Sequence, residues 1–165
     1  MPFTPFHMGP GIAIKALLRG SFSLMVFGWS QIVMDIQPLL AMLTGEGRLH
    51  GFTHTYIGAF LLAVFSGLTG KYLGQFGLFV LGVDRQRRIV IGWTVAIVSA
   101  FMGTFSHVLL DSIMHADMTP LAPFSSANAM LYWISVDALH VFCLVSALVG
   151  ALVYWGVSLY LAYRD

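Results

Sequence analysis

The chain has 165 residues, of which 58% are hydrophobic and 9% charged, with a mean hydropathy of +0.84 and a formal net charge of +1. This balance lies outside that of soluble domains and makes lipid part of the solvent, while the length allows about four spans of roughly 20 residues and no separate soluble domain. The basic residues form no stripe with interleaved aromatics, which excludes a nucleic-acid partner, and the single Cys143 excludes both a disulfide framework and a cysteine-based zinc site.

In chain order, the opening segment ending at His7 has no basic stretch followed by a small-residue cleavage site, so it is expected to belong to the mature protein. Residues 9–20 are apolar but too short to cross a bilayer, and Lys15 and Arg19 lie one helical turn apart; a re-entrant or interfacial helix is predicted. Spans follow at 22–43, 55–83, 89–114 and 129–163. Backbone groups in hydrocarbon must be satisfied internally, and no run alternates like a barrel strand, so the spans are helices. The second contains Gly67, Gly70, Lys71, Gly74 and Gly77 and is expected to bend, tilt or divide, with Lys71 snorkelling or marking the break. The predicted fold is all-α: one membrane-embedded helical bundle over 1–165, with about four transmembrane helices and the short N-terminal helix.

Arg85, Arg87 and Arg88 share the turn 84–88, and alternating spans place Lys15, Arg19 and Arg164 on the same side, against Arg48 alone on the other. Basic residues concentrate on the cytoplasmic side, so both termini are predicted there, with 44–54 and 117–128 outside. Trp133, Tyr154, Trp155, Tyr160 and Tyr163 suit an aromatic belt near the interfaces.

The polar residues inside the apolar chain are patterned. His107, Asp111 and His115 recur every four positions and share one helix face, and His50 with His54 can form a second such stripe. At 1.5 Å per helical residue, Asp35 is about 20 Å and His107 about 27 Å from the cytoplasmic ends of their spans, and His7 about 18 Å from Arg19. All can therefore meet in the outer half of the bilayer. A lone histidine in an apolar segment is ordinarily a hydrogen-bonded contact between helices, whereas an aspartate within a span is costly and points to function. His7, Asp35, His54, His107 and Asp111 together predict a shared site. Histidine and carboxylate without cysteine is the ligand set of zinc, manganese or iron; zinc is the first choice, and more than four candidates leave room for two ions. Asp117, and the Asp137 and His140 pair one turn apart, are second-rank candidates for orienting ligands, with a structural pair as the alternative for the latter two. Gly9, Gly11, Pro120 and Pro123 are expected to shape access to the pocket, or simply to make turns.

Two other readings stay open. Paired histidines on neighbouring spans can hold haem iron, although Asp35 and Asp111 count against it. An intramembrane His/Asp set can also serve a transporter or a proton or metal relay, although no internal repeat is evident.

Thr4-Pro5-Phe6-His7, the aspartate at 35, His50-Gly51-Phe52-Thr53-His54-Thr55, Ser106-His107-Val108-Leu109-Leu110-Asp111 and Thr119-Pro120-Leu121-Ala122-Pro123 resemble the bacterial inner-membrane family of membrane-bound, metal-dependent hydrolases. The resemblance covers most of residues 7–123, and that family is more remotely similar to zinc-dependent phospholipase C. It implies a metal held by His7, Asp35, His54, His107 and Asp111, with His50 and His115 close by. It further implies metal-activated hydrolysis of a lipid or lipid-linked (phospho)ester, with Asp35, Asp111 and His115 as the groups available to accept a proton. The chain departs from the family pattern twice: Asp35-Ile36-Gln37 stands where many members have Asp-x-Asp, and Gly51 stands where they have an arginine.

Overall fold

A computed structural model describes residues 5–83 and 89–164; Thr4 and the arginine turn at 84–88 lie outside them. The described residues are helical, in the order α1 (Met8–Leu18), α2 (Leu24–Thr44), α3 (Tyr56–Val80), α4 (Trp93–Met114) and α5 (Val136–Arg164). Four of these, α2 to α5, are long and apolar enough to cross a membrane. At about 16 Å, α1 is not, since the hydrocarbon core is about 30 Å thick.

Local chemistry sets the helix ends. The Ser23 hydroxyl accepts from the Val26 amide and opens α2, and Gly45, in the left-handed region at φ 71°, closes it. Thr55 opens α3 by accepting from the Gly58 amide at 3.0 Å. α1 begins earlier than expected. Pro10 does not hold the preceding residues extended; it sits within the first turn of the helix, where its missing N–H has no intrahelical acceptor, and Gly9 has no Cβ to clash with its ring.

The glycines of α3 do not divide it. The helix is continuous, and the glycines are where neighbours approach: Gly67 meets Ile97, Gly70 meets Val26 and Trp29, and Gly74 meets Ile91 and Met25. Small residues allow this closeness between helices in lipid. Lys71 marks no break either. It is buried, donating to the Ile91 carbonyl at 2.6 Å and to Gln75 Oε1 at 3.3 Å, with its ammonium 5.1 Å from the Trp93 ring. It thus ties α3 to the chain leading into α4.

α2, α3 and α4 pack together, while α1 lies mainly along α5. Gly9 abuts the Cys143 backbone, Gly150 abuts Ala13, and the Arg19 guanidinium donates to Ser158 Oγ at 3.2 Å. α1 therefore runs beside α5 in the same direction, and the chain then turns and returns as α2. Gly9 and Gly11 are packing residues against Cys143 and Phe27, not shapers of a pocket mouth. This re-entrant path places His7 deep between the helices.

Candidate metal centre

α4 presents His107 and Asp111 inward one turn apart, and neither is more than 4% exposed. His107 Nε2 lies 3.1 Å from Asp111 Oδ2 and 3.2 Å from Asp35 Oδ1, the latter reaching across from α2. His54 stands in the 3-10 turn Phe52–His54 just before α3, with Nε2 3.5 Å from Asp111 Oδ2 and 4.0 Å from Asp35 Oδ1. From the start of α1, His7 places Nε2 3.4 Å from Asp111 Oδ1, its ring edge-on to His107. His115 caps α4 and places Nε2 3.8 Å from the same Oδ1, with its ring stacked on His50.

The structure thus brings together all seven residues expected at the site: His7, Asp35, His50, His54, His107, Asp111 and His115. Two secondary-structure expectations change. His50 and His54 share no helical stripe, because 45–55 is a loop with one 3-10 turn, and His115 lies just beyond the last turn of α4. The ligand atoms form three overlapping groups, each within 4.8 Å: His7, His107 and Asp111; Asp35, His54 and His107; His50, Asp111 and His115. Asp111 unites them. Its Oδ2 faces His54 and His107, and its Oδ1 faces His7 and His115.

The hydrogen-bond network assigns the tautomers. Gln31 Nε2 donates to the Gly103 carbonyl, which can only accept, so Gln31 Oε1 is the atom facing His107 Nδ1 at 2.7 Å. Nδ1 of His107 must then carry a proton, and in the neutral ring this leaves the lone pair on Nε2. The same logic fixes His54. Gln37 Oε1 accepts from the Thr53 amide and hydroxyl, so the Thr53 oxygen is free to accept from His54 Nδ1 at 3.0 Å. His50 donates from Nδ1 to Asp117 at 2.8 Å. Each of these histidines turns one nitrogen toward a polar support and the other inward, the arrangement in which neutral imidazole ligates a metal.

The inward nitrogens have no hydrogen-bond partner: Nε2 of His54, His107 and His115 are all buried and orphaned. Lone pairs facing ionised carboxylates at 3.1 to 4.0 Å repel one another unless positive charge lies between them. A proton on His107 would relieve one ring and leave the others. A cation among the groups satisfies all of them, and the residues therefore fit a divalent metal.

Asp117, exposed beyond the cluster, does orient a ring. Burial would raise its carboxyl, but the hydrogen bond and charge of His50 outweigh this and hold it below the usual carboxylate range. Asp137 is exposed in the first turn of α5, and His140 packs on the Phe6 ring at 4.6 Å, so neither is among the three ligand groups. Gln31 and Gln37 escaped sequence reasoning. The signal was available, because Gln31, like Asp35, is polar within an apolar span and lies one turn before it.

Gln37 and Gly51 meet in the structure. Gly51 packs directly against Gln37, and a Cβ there would collide with the Gln37 amide. A side chain at 51 would therefore displace the Gln37 amide that steadies Thr53.

Comparison with protein-family models, with curated proteins and with solved structures finds no match for this chain.

Proposed function

We propose that the chain is a membrane-bound, metal-dependent hydrolase acting on a lipid or lipid-linked ester or phosphoester. The observation that carries this reading is the set of buried imidazole nitrogens without hydrogen-bond partners around Asp111, in a bundle whose helices are long and apolar enough to cross a membrane. Zinc suits neutral imidazole and carboxylate ligands; manganese and iron share this donor set. The overlapping groups, His7 with His107 and Asp111, Asp35 with His54 and His107, and His50 with Asp111 and His115, offer enough donors that they would hold a pair of ions. When bound, such a metal supplies a nucleophilic water at neutral pH and polarises the ester or phosphoryl oxygen.

The chain's own residues do the rest. Gln31, Thr53 and Asp117 hold three rings in the ligating tautomer. Asp35 and His115 are more open than His54 and His107, at 18% and 17% exposure against 0%, and so are better placed to accept or return a proton at an incoming substrate. The family resemblance favours a bacterial inner membrane, and the basic ends of α1 and α5 favour a cytoplasmic side opposite the site.

The test is metal analysis of detergent-purified protein. The wild type should retain zinc or another divalent ion after dialysis, and Asp111→Asn should lose most of it. Equal metal content in the two, or a haem Soret band with no such metal, would overturn the reading.

A further inference from the structure

An apolar groove of about 680 Å3 runs along one face of α2, between the start of α1 and the lower part of α3. Its floor is a helical stripe, Met25, Gly28, Ile32, Asp35, Ile36 and Leu39, and Met8 and Leu73 stand on its two sides. Among the described residues, Asp35 is the one charged residue on it. Ile32, Ile36 and Leu39 are 44% to 56% exposed, on a helix long and apolar enough to lie against hydrocarbon. The groove volume falls within the range of about 300–1,000 Å3 typical of ligand sites.

The metal cluster is closed on most sides, since His54 and His107 are fully buried and His7 and Asp111 nearly so. It opens in two directions. One is the loop end, where Asp117 is 55% exposed beside His50 and His115. The other is Asp35, which borders the groove and contacts His107. One opening is polar and the other is apolar. From Leu24 to Asp35 the groove floor is about 16 Å long at the helical rise, against about 15 Å for half the hydrocarbon core.

We infer that this groove holds a single hydrocarbon chain of an amphiphilic substrate, which enters sideways from the bilayer and presents its ester or phosphoester at Asp35. The inference rests on the hydrolase reading for what happens at the centre, but not for the seating of the chain. The apolar walls offer a hydrocarbon chain contact and offer a polar ligand no hydrogen-bond partner short of Asp35. Water and headgroup reach the centre from the loop end.

Photo-crosslinking separates the two claims. The full-length protein, stripped of metal, is reconstituted in phosphatidylglycerol vesicles doped with an analogue carrying a diazirine midway along one acyl chain. Label should concentrate on Met25, Gly28, Ile32 and Leu73 by peptide mapping. Gly28→Trp should reduce it about tenfold, the effect of about 1.4 kcal/mol of lost binding. Gly28 tolerates the change in principle, because a Cβ there meets only the flexible end of Met8. Ile32→Trp provides a second groove-filling variant, and Leu148→Trp, on the exposed face of α5, should leave the groove label unchanged. Label spread evenly over exposed residues of α3 and α5, or unmoved by both groove variants, would mean ordinary surrounding lipid and would overturn the inference. Groove labelling without metal binding or lipid hydrolysis would sustain the chain site and remove the hydrolase reading.

Discussion

Five histidines and two aspartates gathered at one site are costly unless their charges and lone pairs are reconciled, and the residues behind them show how this is arranged. Gln31 holds His107 by Nδ1, and its own amide is fixed by the Gly103 carbonyl. Gln31→Leu should leave the helix intact but free the imidazole to adopt the other tautomer. Metal affinity is expected to fall about 10- to 100-fold, the usual effect of removing a group that orients a ligand, as measured by competition with a chelating dye. Asp117→Asn should act similarly through His50, and more mildly, because Asp117 is half exposed and water can replace it. An unchanged affinity in both variants would show that these contacts are structural only. The clustered residues themselves were legible in the sequence, because histidine and aspartate stand out in an apolar chain. Their supports were less so: glutamine and threonine in a span read as ordinary interhelical contacts until their partners are known.

At the scale of elements, the site depends on α1 being re-entrant. Its docking, mainly on α5, carries His7 to Asp111, and that docking rests on backbone contact at Gly9 and Gly150, where a Cβ would meet the Cys143 and Ala13 backbones. Gly150→Leu should therefore lift α1 from α5, lowering the melting temperature and, through His7, metal content as well. The destabilisation expected from such overpacking is about 1–3 kcal/mol. His7→Ala should lower metal content alone, with melting of the metal-free protein unchanged. If Gly150→Leu costs stability but no metal, α1 does not position a ligand. The sequence announced a short apolar piece with Lys15 and Arg19 at one end, which suffices for a re-entrant or interfacial helix. It did not announce α5 as the partner, since glycine packing leaves no hydrophobic period, and the same blindness made the α3 glycines look like breaks.

For the whole molecule, the centre lies at the end of the bundle formed by the loops 45–55 and 115–135, opposite the end where Lys15 donates to the Phe22 carbonyl just before α2 and Arg19 reaches Ser158. Fold class and span number were readable from composition and run length, because lipid leaves the backbone few options. Orientation rests on charge. The three arginines of 84–88 lie outside the described residues, so among those described the bias is carried by Lys15, Arg19 and Arg164 against Arg48. Charge of this kind sets topology through short loops and span ends. It predicts that the loop end, and with it the polar opening at Asp117, faces outside the cell. Native Cys143 is buried and contributes little background, so single cysteines can report directly. Gly47→Cys and Ser126→Cys, both exposed at the loop end, should react with an impermeant maleimide added to intact cells. Tyr163→Cys, 91% exposed near the end of α5, should react only after the membrane is permeabilised. The reverse pattern would invert the protein and put the polar opening in the cytoplasm, so that substrate would have to come from the inner leaflet.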